Sequence, residues 1–509
     1  MSILPISDKR SVIPRWRRSN TFQQAPESNA VRLRAPPVDP GSWFERSYAD
    51  WLEDQGPGFL ADALSAAIVE GRKGHFSELA HAVLGHGDAI PIVLQRLAAR
   101  LLKHDPRPEI VNSGLQEQAD PEILQRAIAY LRKRLGTMPR NPFLWHDLSY
   151  SYLMLGEREK AERAMSTALG VGKNHRLIAR SASRMFVHID KSDKALRVLA
   201  SADGFRSDPW LLSAHVAVSQ GISVPSKFLK NARGVLEESG VGIEKSELGM
   251  AIATEELLHG KAKKAKAFAR EASLSPTENS LAQGVWLSKQ LNVDIVVDDV
   301  STTTDAYEAQ AWDAYYKGDW AQTLRKSILW LEDQPFSSRP ATLGSFVAST
   351  FVRDFVLCEQ IARFALRTNP GDWLLTNNLT VALAEQDRTE EARRQFSQLE
   401  APSEASPNYA VWLATNGLVE YRGGNQESGR HLYAQSYEAS KSRRDRASQL
   451  LGALYQSMEE ARLGDTNYAA ELLTRAQSEL GSVDPREREL AHAIQRQIEE
   501  MRLLRAPDK

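Results

Sequence analysis

The chain of 509 residues has one cysteine, Cys358, and therefore no intramolecular disulfide. It also lacks a charge excess, because 64 Lys and Arg balance 65 Asp and Glu to a formal net charge of -1. Such a chain has no overall attraction to nucleic acid or anionic lipid. No apolar run approaches the ~18 residues of a membrane-spanning helix, and Pro5 and Ser7 break the short apolar stretch where a secretory signal would lie. These absences predict a cytoplasmic protein without membrane contact.

Motifs for catalysis, cofactors and metals are missing too. The sequence has no glycine-rich phosphate loop, no G-x-G-x-x-G, no H-E-x-x-H, no G-x-S-x-G and no paired-cysteine zinc spacing. His81 and His86, with His75 nearby, suggest a metal site, but a spacing of five does not put two ligands on one helical face. Surface or capping histidines explain them as well. We therefore predict no cofactor, no metal and no catalytic residue, and keep an enzyme with an unfamiliar site as an alternative.

The N-terminal stretch differs from the rest in composition. Residues 1–40 hold six prolines and no helical period, and their seven basic and three acidic residues give a net +4. We predict a disordered basic arm over residues 1–42. Its Arg15, Arg17 and Arg18 are candidate phosphate contacts.

From Trp43 onward, apolar residues recur at steps of three and four, which predicts helices with one buried face. Residues 43–119 form a helical cap or divergent repeats. Two repeat blocks follow, at 120–291 and 305–484, and a capping helix with a tail at 485–509. Between the blocks, the β-branched run Val293–Val300 and the following Ser and Thr residues disfavour a helix and predict a linker at 292–304.

A motif in two halves marks the repeat. The first half places Trp145, Leu148, Ser149, Tyr152 and Gly156 in sequence, and the second places Ala161, Met165 and Ala168. A small residue at 149 lets two helices approach, and a glycine at 156 ends the first of them in a left-handed conformation.

This pattern resembles the tetratricopeptide repeat. The turn residue, followed by small or apolar residues at later steps of +5, +9 and +12, recurs through the chain at Gly156, Asp190, Gly260, Gly318, Arg353, Asp387, Gly424 and Gly464. From 156 to 190 is 34 residues and from 353 to 387 is 34, which matches the family period. Later steps are longer, and the stretch around Trp210 and Gly221 is a degenerate repeat at best. The resemblance implies an all-α, right-handed superhelical solenoid of irregular helix-turn-helix repeats in two blocks.

In the tetratricopeptide family the first helices line a concave face that binds extended peptides or partner helices. The resemblance implies partner-binding positions there, where aromatic rings and amides suit peptide capture: His146, Tyr150, Leu153, Trp312, Tyr315, Asn377, Asn378, Val381, Leu418 and Tyr421. The alternative is that these rings fill the interior or meet the N-terminal arm.

The expected function is a non-catalytic scaffold or adaptor that binds a partner protein or peptide, including a partner enzyme that it regulates. A nucleic-acid-associated regulator is the alternative, with the basic arm and the surface cluster Lys441, Arg443, Arg444 and Arg446 contacting phosphates. A second basic cluster spans Lys261–Arg270, and a solvated helix face explains both clusters as well. Self-association stays open, and removal of residues 1–40 is expected to leave the fold intact.

Overall fold

The computed structural model describes residues 15–17, 40–69, 72–86, 89–90, 92–102, 120–172, 175–237, 242–295, 300, 303, 305–480, 495–496 and 499. All regular structure in these ranges is helical. Contacts divide the chain into two compact units, one of residues 20–117 and one of residues 1–19 together with 118–509. The N-terminal residues 15–17 thus belong to the larger unit.

The smaller unit contains four described α-helices, and consecutive helices pack on one another. These are α1 (Pro40–Glu53), α2 (Pro57–Val69), α3 (Phe76–Gly85) and α4 (Ile92–Leu101), with a 3-10 turn at Lys73–His75. Their core is apolar, with Trp51, Leu60, Leu64 and Leu79 buried. A hydrophobic core of its own makes this unit a folded module, and its role as a cap stays a prediction.

The larger unit is a series of helices joined by short turns. They are α5 (Pro121–Thr137), α6 (Pro142–Met154), α7 (Arg158–Val171), α8 (Arg176–His188), α9 (Ser192–Ala200), α10 (Pro209–Gly221), α11 (Leu229–Glu237), α12 (Ile243–Leu258), α13 (Ala262–Ala272), α14 (Glu278–Leu291), α15 (Tyr307–Lys317), α16 (Trp320–Asp333), α17 (Ser338–Val347), α18 (Phe355–Leu366), α19 (Trp373–Glu385), α20 (Thr389–Phe396), α21 (Asn408–Arg422), α22 (Gln426–Ser442), α23 (Arg446–Leu463) and α24 (Thr466–Leu480). A π-helical turn, Ala348–Val352, extends α17.

These helices form antiparallel pairs of the tetratricopeptide type. Within a pair the first helix packs on the second, as α6 does on α7 and α21 on α22, and first helices also contact the first helices of neighbouring pairs, as α19 contacts α21. First helices are consequently buried over most of their surface, whereas second helices expose one charged face. The prediction of an all-α array of tetratricopeptide-like repeats is confirmed.

The turns explain why the pairs are so regular. All eight predicted turn residues have a left-handed backbone, with φ between +59° and +102°. Five are glycines, which adopt this conformation without steric cost, and Asp190, Arg353 and Asp387 adopt it at some cost. Ser223 has φ +58° and lies 33 residues after Asp190 (190 to 223), so the stretch that looked degenerate forms a pair, α10 with α11.

Small residues bring the paired helices together. Ser149 is fully buried, and its hydroxyl donates a hydrogen bond of 2.7 Å to the backbone oxygen of Ala161 on the second helix. In the α21–α22 pair, a Cβ on Gly429 would lie 2.5 Å from the ring of Tyr421. Larger side chains at these positions would push the helices apart.

The chain beyond the linker folds back onto the first pairs. Within the predicted linker 292–304, Ile295 and Val300 are buried, and the Gln310 amide donates to the backbone oxygen of Val300 at 3.2 Å. Further on, the Arg158 guanidinium donates to the backbone oxygen of Thr368 at 3.4 Å. The two predicted blocks therefore touch.

The ends of the chain differ in how much is described. Helix α1 begins at Pro40, inside the predicted arm of residues 1–42, and residues 15–17 are packed against the larger unit and not extended into solvent. Their packing, described below, has a clear cause in ring contacts and ion pairs. The predicted helix at 485–505 lies outside the described residues, apart from 495–496 and 499.

Candidate partner-binding site

Trp16 is fully buried among three rings of the repeat array. Its ring centroid lies 5.3 Å from that of Tyr150, 5.3 Å from that of Phe336 and 6.0 Å from that of His146. The indole Nε1 donates a hydrogen bond of 3.0 Å to His146 Nε2. Edge-on ring pairs contribute about 0.5–1.5 kcal/mol each beyond their buried area, so Trp16 is a strong anchor.

The neighbour of His146 prepares it to receive the indole. His146 Nδ1 lies 3.0 Å from Asp147 Oδ1, and both residues are buried. A carboxylate accepts hydrogen bonds, so the imidazole proton belongs on Nδ1 and Nε2 is left as an acceptor. Asp147 thereby fixes the tautomer that binds Trp16.

Two arginines flank Trp16 and meet carboxylates. Arg15 donates to Asp333 Oδ2 at 3.2 Å and to the backbone oxygen of Asp305 at 3.0 Å. Arg17 Nε lies 2.6 Å from Asp333 Oδ1, and both guanidinium groups come within 3.8 Å of Glu278 Oε1. One carboxylate thus serves both arginines, as expected of a site that reads paired positive charge.

Electrostatics keep Arg17 charged in this position. Burial opposes the guanidinium charge, but attraction to Asp333, a hydrogen bond with it and attraction to Glu278 outweigh the effect and raise the pKa of Arg17. The Arg15 side chain is only 5% exposed. Buried charges of this kind are stable only while their partners remain, so loss of Asp333 should release the arm.

We name the residues that hold Arg15–Arg17 the arm site: His146, Tyr150, Glu278, Asp305, Asp333 and Phe336. It accepts an aromatic residue between two basic ones. The sequence indicated His146 and Tyr150, but not the carboxylates or Phe336. Contact partners separated by 130, 290 and 318 residues leave no local pattern to find them.

The other predicted concave-face residues are packed between repeats. All ten predicted positions are at most 8% exposed. The Asn378 amide donates to Ser345 Oγ at 2.9 Å, and Thr415 donates to Asn377 Oδ1 at 2.8 Å. These amides join neighbouring pairs. The remaining residues lie in the core or in ring contacts there: Leu153, Trp312, Tyr315, Val381, Leu418 and Tyr421. Partner binding by these positions stays a prediction.

A buried ion network lies where three first helices end. Arg422 on α21 bonds Glu385 on α19 and Glu459 on α23, both at 2.7 Å. Glu460 accepts from the Tyr421 hydroxyl at 2.6 Å and from Arg430 at 2.6 and 2.7 Å. Its charges largely neutralise one another, which is typical of a structural network.

Burial shifts the carboxyl groups of this network in opposite directions. Burial raises the pKa of Glu459 to about 7, and the Glu385 charge adds to the rise while Arg422 opposes it. Burial acts on Glu460 in the same sense, but hydrogen bonds from Arg430 and Tyr421 outweigh it and lower the pKa of Glu460. Glu459 is thus the network member that titrates near neutral pH.

The predicted surface cluster is exposed. Lys441, Arg443, Arg444 and Arg446 all face solvent at the end of α22 and the start of α23. Arg443 also donates to the backbone oxygen of Ala405, and the Lys441 ammonium lies 5.9 Å from the centre of the Tyr437 ring. Of the predicted arm contacts, Arg15 and Arg17 face carboxylates, and Arg18 lies outside the described residues.

Other potential sites are less developed. Open cavities of about 560 Å³ lie beside α14 and α15, near Tyr316, and on α6 and α7, near Trp145. Among the described residues, no group of three or more His, Cys, Asp or Glu is placed to hold a metal ion. His81 instead bonds the backbone oxygen of Ser77 at 2.7 Å. No helix in the described ranges combines the length and the apolar character needed to cross a membrane.

Comparison with known proteins yields two solved structures to which this chain is similar. One is in the APC/C hetero-tetramer Cut9-Hcn1, at 12% identity over 71% of this chain and 77% of that chain, with a TM-score of 0.28. The other is yeast Tom70, at 13% identity over 78% of this chain and 96% of that chain, with a TM-score of 0.26. No protein-family model and no curated protein matches. With TM-scores below 0.5, the tetratricopeptide-like fold rests on the pairs, turns and packing of this chain itself.

Proposed function

We propose that this protein is a non-catalytic scaffold that binds an extended segment of a partner protein in the arm site. The supporting observation is the chain's own Arg15-Trp16-Arg17, which is seated there by ring contacts and ion pairs. A site that holds such a segment in cis has the chemistry to hold one in trans. The partner segment therefore carries a tryptophan flanked by arginines.

The chemistry of the site favours this class of segment over others. Tryptophan and arginine are the residues that most often dominate binding energy at interfaces, especially when fully desolvated. Phe336, Tyr150 and His146 enclose the indole, and Asp333 lies where both flanking guanidinium groups reach it. An acidic segment would face carboxylates and be repelled.

The arm then acts as an intramolecular competitor. A tethered segment has a high effective concentration at its own site. A partner must displace residues 15–17 before it binds, so release of the arm controls access. Regulation of a partner enzyme is one function that such a scaffold would serve.

A peptide titration tests this proposal. We expect a labelled peptide of residues 10–20 to bind a variant that lacks residues 1–19, with at least about tenfold weaker binding to the full chain, because the arm competes. A peptide with Trp16→Ala should bind about 30-fold more weakly or worse. Fluorescence anisotropy at fixed ionic strength gives both affinities.

The same peptides identify the partner. Proteins captured from a native lysate should be eluted by the peptide of residues 10–20 and retained against the Trp16→Ala peptide, in the presence of nuclease. The Asp333→Asn variant should capture less of them. Equal binding of the two peptides, or capture that neither Asp333 nor the peptide affects, would contradict the proposal.

The nucleic-acid alternative gains no specific support from the arm. Arg15 and Arg17 are engaged by Asp333 and Glu278 in this conformation, which leaves the surface cluster at Lys441–Arg446 to contact phosphates. That hypothesis predicts partners lost on nuclease treatment and an affinity that falls steeply with salt.

A further inference from the structure

Two arginines and a histidine come together on the side of Phe336 away from the acidic part of the arm site. The Arg184 guanidinium lies 5.5 Å from the centre of the Phe336 ring, and the His188 ring centroid lies 5.5 Å from that of Phe336. Arg158 reaches the same region through its bond to the Thr368 backbone oxygen. We name Arg158, Arg184 and His188 the inner cationic cluster.

This cluster has unused hydrogen-bonding capacity. Arg158 Nε, Arg184 Nε and His188 Nε2 are each inaccessible to solvent and without a hydrogen-bond partner among the described residues. The three residues as a whole are only partly buried, so a ligand can approach them. Native proteins rarely leave several buried donors unused in one place.

No carboxylate in the described ranges pairs with either arginine of the cluster. Arg184 bonds the hydroxyl of Ser337 at 3.3 Å, a neutral group. The nearby Glu308 is bonded to Arg339 at 2.6 Å, which leaves the pair of Glu308 and Arg339 neutral. The region therefore carries excess positive charge, and an anion would reduce the cost of burying it.

The charge imbalance is large enough to weaken protonation of these groups. Burial, with repulsion from Arg339, lowers the pKa of Arg184 to about 10 despite attraction to Glu308. Burial lowers the pKa of His188 to about 3, helped by Arg184 and Arg158. An anion bound here would reverse both shifts.

We propose that the inner cationic cluster binds an oxyanion, a carboxylate or phosphate group carried by the partner segment beside its tryptophan. This inference rests on the proposed function, because Phe336 contacts both Trp16 and Arg184 and so joins the two sites. A chain that places an indole on Phe336 brings its next residues within reach of Arg184.

The chain's own arm does not supply this group near Trp16. No Asp or Glu occurs between Asp8 and Glu27. The arm therefore occupies the acidic part of the site and leaves the cationic part unfilled. A partner with an acidic or phosphorylated residue next to its tryptophan makes an additional contact, which gives it an advantage over the arm.

Inorganic anions test the cluster independently of any peptide. The full chain is melted in sodium phosphate, in sodium acetate and in chloride at equal ionic strength. We expect phosphate, acetate or both to raise the melting temperature relative to chloride by about 1–3 °C, because a ligand bound only to the folded state stabilises it. The Arg184→Gln variant should lose this shift, while Arg197→Gln, on the exposed face of α9, should keep it.

The arms of the experiment distinguish the two sources of oxyanion. A shift with acetate as well as phosphate indicates a carboxylate ligand, and a shift with phosphate alone indicates a phosphoryl group. No shift beyond chloride with either anion, or an equal shift in Arg184→Gln, would overturn the proposal. Failure here leaves the peptide titration unaffected, because the peptide of residues 10–20 contains no acidic residue.

A second measurement uses the variant that lacks residues 1–19. A peptide of residues 10–20 with Ser19→Glu or with phosphoserine at 19 should bind about tenfold more tightly than the unmodified peptide. The gain should vanish in Arg184→Gln and persist in Arg197→Gln. A gain that is the same in both variants contradicts the assignment to this cluster.

Discussion

At the residue scale, Gly156 occupies a position that only glycine suits. Its φ is +78°, and a Cβ there would lie 3.0 Å from the backbone oxygen of Arg367, which is more than two hundred residues away in sequence. Gly260 has nearly the same φ, +73°, with nothing within 4 Å of a Cβ. The two glycines share the backbone requirement and differ in the close approach of another segment.

This difference predicts unequal costs for the same substitution. Gly260→Ala should lower the free energy of unfolding by about 1 kcal/mol through the left-handed backbone alone. Gly156→Ala should cost at least about 1 kcal/mol more, because the methyl group meets the Arg367 carbonyl. Urea unfolding of both variants measures the difference, and equal losses would mean that Arg367 does not approach Gly156.

Residues of the repeat signature could be predicted because they act locally. Ala161, Ala265 and Ala469 were expected in buried slots of second helices, and each has no exposed surface. A small side chain, a turn and a period of about 34 residues determine such positions within one repeat. The arginines at 15 and 17 could not be predicted in this way, since their carboxylate partners lie in distant repeats.

At the scale of elements, the ends of α19, α21 and α23 are joined by charge. Arg422 bridges Glu385 and Glu459, and Arg462 pairs with Asp387 beside them. Both Glu385 and Glu459 are nearly inaccessible to solvent. This arrangement makes the C-terminal pairs sensitive to the ionisation of Glu459.

The raised pKa of Glu459 gives a stability change with a definite sign. Its pKa is about 7 in the folded chain and near 4.5 in the unfolded one, so the folded state holds an extra proton between these values. The contribution of Glu459 to stability is fully present below about pH 4.5 and is lost as the pH rises through 7. The loss is up to roughly 3 kcal/mol.

Glu459→Gln should remove this dependence, because an amide resembles the protonated acid. Between pH 5 and pH 7.5 the unfolding free energy of the wild type should fall relative to that of the variant, as measured in urea. The comparison cancels His188 and His215, whose lowered pKa values have the opposite sign. Glu438→Gln, an exposed position on α22, serves as control. Parallel profiles for wild type and Glu459→Gln would contradict the role of Glu459.

Element lengths also follow from the sequence in part. The predicted turn spacing widens toward the C-terminus, and there α22 has 17 residues and α23 has 18, against 14 for α7. The pair α10 with α11 was underestimated, because its turn residue is Ser223, not a glycine. Packing of neighbouring pairs overrides the weak turn signal there.

At the scale of the larger unit, the arm joins segments that the repeat order keeps apart. Trp16 contacts His146 of the first pair and Phe336 after α16, and Arg15 contacts Asp333. The described contacts of residues 15–17 thus belong to the tertiary structure. Their removal should loosen this region without unfolding the pairs.

Truncation measures this contribution. Deletion of residues 1–19 should speed amide hydrogen exchange at 334–337 and in α6 and lower the melting temperature, because buried rings and Asp333 lose their partners. Deletion of residues 1–13 keeps Arg15–Arg17 and should retain wild-type exchange. Identical exchange in both truncations would show that the arm is not seated in solution, and would also weaken the proposed function.

The sequence by itself determined the helix pairs, their turn residues and their buried small positions. Each of these depends on periodicity and backbone preference within a few tens of residues. Only the tertiary structure decided that Trp16 meets Phe336, that Asp333 holds two arginines, and that Arg184 lies beside them without a carboxylate. Which distant segments meet depends on small rotations summed over many pairs and on the path of the linker, and no local pattern records that sum.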